Sequence, residues 1–304
     1  MNYDLILIRY GELSLKSSYV RKQFTFALIR NIKRAFHMHN LACDISTERG
    51  RIYLDTDQIL AGVNVLQNVF GITSVSPAIK TTSQLEDMIA LSLKCCEPIL
   101  HKGKSFALRV KRTGEHDFSS QDIAVKLGNV IVEATTADVD LTHPDVELFI
   151  EIRDDIAFFF TEKIRGTGGM PLGTQGSLLA LISTPQSLLS AWYLMRRGCD
   201  IHLLLTNNSL RETVEAFLRK WYAKSDIISI DSKSKNLFEH INMIASQQAC
   251  AALVTDHSLY DTSRDVLSEI KHMKTAVRIP IVHPLIAMDE DEIQQQCKEL
   301  GIIQ

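Results

Sequence analysis

An apolar run that breaks at Ser183-Thr184-Pro185-Gln186-Ser187 and resumes with helical spacing is the stretch best placed to do chemistry in this chain. Strand, tight turn and helix, in that order, are how a parallel sheet offers backbone N–H groups to a phosphate. Glycines normally form such a turn, because they reach positive φ and let the anion come close. Here Pro185 has no N–H, its ring holds φ at about −65°, and the next glycine is Gly198. These residues suit an ordinary helix start instead: Thr184 as N-cap, Pro185 at the first helical position, Gly198 past the C-terminus.

Two other groups of residues suit a polyanion. Between Leu13 and Cys43 there is no acidic residue, yet Lys16, Arg21, Lys22, Arg30, Lys33 and Arg34 all fall there. On a chain of net charge −3, this is either an electrostatic footprint for nucleic acid or a solvated helix face. In "RVKRTGEHDFSS", residues 109–120, Arg109, Lys111 and Arg112 close a strand, and a glycine turn leads to His116, Phe118, Ser119 and Ser120. Cations and hydroxyls of this kind hold phosphates, and an aromatic ring stacks on an unpaired base. Ser119 or Ser120 equally suits the N-cap of a helix beginning near Gln121. Across residues 76–165 acids outnumber bases, so the electrostatic argument rests on local clusters alone.

The elements that must position these groups fall into segments of different character. Residues 1–75 read strand–helix–strand–strand–helix, with "LILIRY" as the first strand and a last helix capped at Gly71, as in a small ferredoxin-like α+β unit. Residues 76–165 open with a helix through "LEDMIALSLKCCEPIL". In "SFALRVKR", Phe106, Leu108 and Val110 then alternate with Ala107, Arg109 and Lys111. The stretch 166–176 is rich in glycine and reads as a linker. In residues 177–304 apolar strands alternate with helices ("LLALIS", helix 185–197, "IHLLLT", "IISI", "CAALVT", "IPIVHPLI"), the pattern of a doubly wound parallel α/β sheet.

Composition excludes several function classes. Asp4 and Arg9 interrupt the first apolar run, unlike a signal peptide, and no apolar stretch reaches the roughly 18 residues of a membrane helix. Cys43, Cys95, Cys96, Cys199, Cys250 and Cys297 lack Cys-x-x-Cys spacing, so free thiols in a reducing cytoplasm are expected. The histidines lack the spacing of a zinc site, and no metal is expected. Asp154–Asp155 suits a turn, and "MDEDE", 288–292, suits a helix N-terminus, where acids favour the dipole.

"FALRVKRTGEHDFSSQDIAVKLG" closely resembles the THUMP domain of the tRNA 4-thiouridine synthetase family. "LIRYGELSLKSSYVRKQFTFALIRNI" resembles that family's N-terminal ferredoxin-like domain, and "TEKIRGTGGMPLGTQGSLLALIS" its linker into a PP-loop ATP-pyrophosphatase domain. The resemblance implies domains at 1–75 (ferredoxin-like), 76–165 (THUMP), 166–176 (linker) and 177–304 (PP-loop-like). It also implies that the first two hold tRNA while the third adenylates a uridine with ATP before sulfur transfer. The RNA half follows the family's pattern at Tyr10, Gly11, Glu12, Lys16, Arg21, Lys111, Arg112, Gly114, His116, Asp117, Phe118, Ser119 and Ser120.

The catalytic half departs from the family. Its Ser-Gly-Gly-x-Asp-Ser loop is replaced by Ser183–Ser187, and its Thr-Gly-Glu-Ala-Leu-Gly-Gln motif by Thr255-Asp256-His257-Ser258-Leu259-Tyr260-Asp261. Cys297 does not match the family's sulfur-carrying cysteine, so no catalytic residue is assigned. The expected function is a cytoplasmic tRNA-binding protein without adenylation activity and without a cofactor. Its third domain would be a scaffold, a homodimer surface, or a docking site for a tRNA-modifying enzyme or sulfur donor. The alternative is an authentic tRNA sulfurtransferase making 4-thiouridine, with ATP bound by a rearranged site or a partner protein. A protein–protein scaffold that has lost RNA binding is a third reading.

Overall fold

The computed structural model describes residues 2–11, 17–48, 50–231, 236–261, 263 and 265–303. The chain begins β1 (Leu5–Tyr10), α1 (Ser18–Met38), β2 (Asp44–Glu48), β3 (Arg51–Asp55), α2 (Ile59–Gln67) and β4 (Ile72–Thr82). It continues α3 (Leu85–Cys96), β5 (Ser105–Thr113), α4 (Ser120–Thr135), β6 (Asp138–Val139), β7 (Val146–Arg153), β8 (Ile156–Phe160) and β9 (Ile164–Arg165). Strand and helix then alternate: β10 (Ser177–Ile182), α5 (Ser187–Arg196), β11 (Asp200–Leu205), α6 (Arg211–Lys220), β12 (Ile227–Ser229), α7 (Leu237–Gln247), β13 (Leu253–Val254), α8 (Val266–Ala276), β14 (Ile281–Val282) and α9 (Glu290–Glu299). The mixed α+β start and the α/β end are those expected from the sequence. Two compact units are formed, the first by Met1–Arg9, Asn40–Gln67 and Ser74–Arg165, the second by Tyr10–His39, Asn68–Thr73 and Gly166–Gln304.

The first unit is a mixed sheet in the order β2-β3-β1-β4-β8-β7-β5-β6, with β9 paired to β4. Side chains alternate across it. Leu148, Ile150 and Ile152 of β7 join Phe106 of β5 and Phe159 of β8 in a core with Met88 and Leu91 of α3 and Ile123, Leu127 and Ile131 of α4. Leu108 and Val110 pack against the same core, as the alternation in "SFALRVKR" predicts. The odd-numbered positions of β5 and β7 therefore turn to the other face, and register sets Arg109 beside Phe149 and Lys111 beside Glu151. On β8, Phe160 lies opposite Phe149. Helix α4 begins with Ser119 as N-cap in a capping box with Asp122, one of the two serines the sequence offers.

The second unit holds a parallel sheet, β12-β11-β10-β13-β14. Apolar cores lie around Leu188, Trp192 and Phe217 and around Ile241, Ile244 and Met273. From β10 the chain winds outward to β11 and β12, then returns to lay β13 against the free side of β10. The order reverses there, and ligands of open α/β sheets bind at the carboxyl ends of such a strand pair.

Three expectations need correction. Helix α2 ends at Gln67, so Gly71 is not its cap. Gly71 serves a turn: its N–H donates to Gly168 O at 2.8 Å, its φ is +100°, and a Cβ there would come within 3.0 Å of the Pro171 ring. Helix α5 runs Ser187–Arg196 rather than 185–197, and Thr184 is not its N-cap, because its hydroxyl is bonded to Asp256 instead. Strands β13 and β14 hold only Leu253–Val254 and Ile281–Val282, much less than the apolar runs that contain them.

Candidate functional site

On the odd-numbered face of β5 and β7, the first unit carries a cleft of about 190 Å³. It is lined by Arg9, Arg51, Arg109, Lys111, Lys163, Phe149, Phe160 and Glu151. Glu151 is nearly buried, with three arginines gathered around its carboxylate. Arg51 donates to Oε1 through Nη2 at 2.7 Å and Nε at 3.0 Å, Arg9 to Oε2 at 3.2 Å, and Arg153 to Oε1 at 3.4 Å. Arg9 is pinned from its other side by a 2.9 Å bond to Ser76 Oγ. Burial by itself would raise the Glu151 carboxyl, but Arg51 and Arg9 outweigh it and hold the group below the usual glutamate value.

Beyond that counter-ion the cleft is crowded with positive charge. The Phe149 and Phe160 rings stack at 5.3 Å, with Lys163 Nζ 3.6 Å from the centre of the first and the Arg9 guanidinium 4.7 Å from that of the second. Cation–π contact of this kind lowers the cost of packing like charges together. Lys163 is pushed below the ordinary lysine value by burial, then by Arg9 and Lys111. Crowded, partly desolvated cations at the mouth of a cleft gain from an incoming anion. Arg109 is less available: Nε donates to Glu147 at 2.7 Å and Nη2 to Leu141 O at 2.9 Å.

Alternation separates the cations that the sequence placed in one cluster. Lys111 faces the cleft with Arg109, whereas Arg112, at an even position of β5, falls on the opposite side of the strand and donates to Gly114 O at 3.4 Å. In the loop that follows, His116 donates Nε2–H to Asp154 O at 2.8 Å, its ring lies 5.0 Å from Phe118, and its Nδ1 is buried without a partner among the described residues. Ser119 is occupied as the α4 cap and Ser120 is the first residue of that helix. Arg21 and Lys22 are exposed on α1, which belongs to the second unit. Lys16 lies outside the described residues. Sequence reading missed Arg9, Arg51, Phe149, Phe160 and Lys163.

The second unit's switch point has a different chemistry. Between β10 and α5, the N–H groups of Ser183 and Thr184 donate to Ser187 Oγ at 3.2 and 3.1 Å. The Ser187 hydroxyl in turn donates to Asp256 Oδ2 at 2.5 Å, and that of Thr184 to the same oxygen at 3.3 Å. Thr184 is thereby drawn away from capping: Pro185 and Gln186 form a turn, and the N–H of Leu188 closes on Pro185 O at 3.1 Å. The conventional cap is replaced by a bridge from the turn to a carboxylate that follows β13.

Next to Asp256 lies a polar chain that is buried at Thr255 and His257 and half-buried beyond them. Thr255 Oγ1 is 2.8 Å from His257 Nδ1 and 2.6 Å from His283 Nδ1, and His257 Nε2 is 3.3 Å from Glu269 Oε2. One assignment satisfies these three contacts: His257 Nε2–H donates to Glu269, Thr255 donates to His257 Nδ1, and His283 Nδ1–H donates to Thr255. Burial first, and then His257, push His283 below its ordinary 6.5. A base harder to protonate in the folded than in the unfolded chain costs stability as pH falls below that ordinary value. The urea midpoint is therefore expected to drop between about pH 6.5 and pH 5, and His283→Asn to flatten that drop. Parallel curves for the two proteins would show that His283 is not its source. Among the described residues no group of three or more His, Cys, Asp or Glu is placed to hold a metal ion, and no helix is long and apolar enough to cross a membrane.

Models of the ThiI ferredoxin-like domain, the THUMP domain and thiamine biosynthesis protein (ThiI) match residues 5–76, 82–162 and 232–304. The chain is 31% identical to a probable tRNA sulfurtransferase of Methanobrevibacter smithii over 337 aligned positions, which cover 99% of this chain and 87% of that protein. It is 32% identical to the Methanothermobacter thermautotrophicus counterpart, covering 99% and 85%. Both alignments are longer than the 304-residue chain, so these relatives carry residues that have no counterpart here. Among solved structures, PH1313 from Pyrococcus horikoshii superposes with a TM-score of 0.84 at 27% identity, over 98% of this chain and 99% of that one. A 4-thiouridine synthetase solved with RNA and bound ATP has the same fold, with a TM-score of 0.82 at 23% identity over 99% and 86%.

Proposed function

The chain belongs to the tRNA sulfurtransferase family, and we propose that it binds tRNA without adenylating it. RNA binding is supported by the cleft of Arg9, Arg51, Lys111 and Lys163, which offers cations to phosphate on a scaffold fixed by Glu151. The RNA and ATP bound to the synthetase of the same fold give the two ligand classes to test. The observation that carries the second half of the reading is Asp256 bonded to Ser187 and Thr184. In this turn the Ser183 and Thr184 N–H groups already serve Ser187, Pro185 contributes none, and a carboxylate lies where a phosphate would have to approach. Two like charges about 4 Å apart repel by about 4 kcal/mol at an effective dielectric near 20. These residues do not suit a triphosphate.

The experiment pairs equilibrium binding of bulk tRNA with an assay for ATP-dependent thiolation by the purified chain. Binding that weakens linearly in log affinity against log salt, with no 4-thiouridine formed, is the expected result. Appearance of 4-thiouridine would favour the second reading, an authentic sulfurtransferase with a rearranged site, to which the names of the relatives point. Rebuilding Gly-Gly-x-Asp in place of residues 184–186 is expected not to restore activity, because Asp256 and His257 remain. Thiolation by that single-loop variant would show that the turn is the whole lesion. If tRNA binds and nothing is done to it, the parallel-sheet half is free to recruit a tRNA-modifying enzyme or a second copy of the chain.

A further inference from the structure

The exposed side of α1 carries aromatic rings that the fold does not use. Phe24, Ala27, Leu28, Ile32, Ala35 and Phe36 supply its buried face, which is all that an amphipathic helix needs. Yet Phe26 is 71% and Tyr19 68% exposed. Tyr19, Gln23, Phe26, Arg30 and Lys33 follow one another at steps of four and three, so they form one line along the helix. The Gln23 amide donates to Tyr19 Oη at 2.7 Å and steadies the phenol. Beside Phe26 runs an open groove of about 470 Å³, bordered by Gln23, Phe24, Arg30, Gly173 and Thr174. Gly173 has φ +82°, and a Cβ there would come within 3.0 Å of the Arg30 guanidinium, so glycine lets this wall pass close to the cation. No acidic residue interrupts the helix from Ser18 to Met38.

We propose that this line is a stacking platform for unpaired bases of a bound RNA, with Phe26 and Tyr19 as the platform and Arg30 and Lys33 as the phosphate contacts. The inference rests on the tRNA-binding reading and adds the kind of RNA segment this helix takes. Charge complementarity selects the occupant. A purely apolar partner would leave the cations beside the rings unsatisfied, whereas single-stranded nucleic acid presents a π-face and an anion at every step. Sequence inspection singled out the cations here and passed over the rings: Phe26 and Tyr19 fall outside the apolar spacing of the buried face, and nothing in the sequence says that they are exposed together.

The test is binding of bulk tRNA and of a fully paired RNA duplex to the full chain and to its Phe26→Ala and Tyr19→Ala variants, across a salt series. Each ring is expected to contribute about 5- to 100-fold in tRNA affinity. The salt slope should stay the same, because stacking releases no counterions, and duplex affinity should not change. Phe26→Trp should restore tRNA binding, with quenching of the new indole when a base stacks on it; Trp192 and Trp221 are buried and contribute a steady background. Wild-type binding with both alanine variants unchanged overturns this inference and leaves the tRNA reading intact. So does self-association of the chain that both variants abolish, which would assign the face to a second copy. Failure of the wild-type chain to bind tRNA at low salt overturns both.

Discussion

Reversing two charges, Lys111→Glu and Lys163→Glu together, is expected to weaken tRNA binding about 100-fold at low salt and to flatten the log–log salt slope by about two. Both side chains line the cleft of the first unit and both are exposed, so the change acts on binding rather than on folding. They differ from their neighbours in what they already hold. Arg109 is tied to Glu147 and Leu141 O, while Arg9 and Arg51 are tied to Glu151. Lysine ammonium groups near one another, one of them already pushed below its ordinary value by burial and by its neighbours, gain most from a phosphate. The loss should be similar for every tRNA sequence, because phosphate contacts carry no base information. Arg112→Glu serves as a contrast from the other side of β5 and should change the slope by no more than one. Titration of the double variant from low to moderate salt decides the matter. A slope equal to that of the wild type would remove this cleft from the RNA interface.

The contrast between Lys111 and Arg112 shows what the sequence could and could not disclose. Alternation in "SFALRVKR" is a local signal, and it correctly set Phe106, Leu108 and Val110 on one face and Arg109 and Lys111 on the other; the structure turns the first face to the core. The same period puts Arg112 on the inward-facing parity, but as the last cation of a run it read as a member of one cluster. The cleft itself was not legible. Arg9, Arg51, Glu151 and Lys163 come from separate strands and a loop, and Arg51 and Glu151 are 100 residues apart. Only register brings them together, and no spacing rule announces it.

The α/β half shows the same limit. Strand–turn–helix at 181–198 was plain, and so was the acidic start of the last helix, where Asp289 forms a capping box with Glu292. The cap at Thr184 failed because local propensity lost to a long-range partner. Asp256 reaches the turn from 72 residues away and takes the hydroxyl that would have capped the helix. Thr255 and His257 were visible as part of one departed motif, but His283 was not linked to them, and β13 pairing with β14 brings the three together.

Glu151→Gln is expected to cost the first unit about 3 kcal/mol or more of stability, an effect on the scale of removing one partner from a buried ion pair. A carboxylate so little exposed survives inside a protein only when opposite charge surrounds it, and here Arg9, Arg51 and Arg153 do so. The amide keeps one acceptor oxygen but leaves three guanidinium groups crowded without a counter-ion, two of them on the rim of the cleft. The pH dependence carries a matching signature. Because the folded carboxyl lies below its ordinary 4.5, the stability it contributes is complete above that value and is lost as pH falls through the lower folded value. The wild type should lose stability steeply below about pH 4.5, and the variant, already weakened at neutral pH, should lose less over the same range. Urea unfolding at neutral and acid pH reads both effects. Equal midpoints at neutral pH would mean that the arginines are held by something other than Glu151. If the prediction holds, the variant should also bind tRNA more weakly even where it is fully folded, since Arg9 and Arg51 would no longer be fixed in position to meet a phosphate.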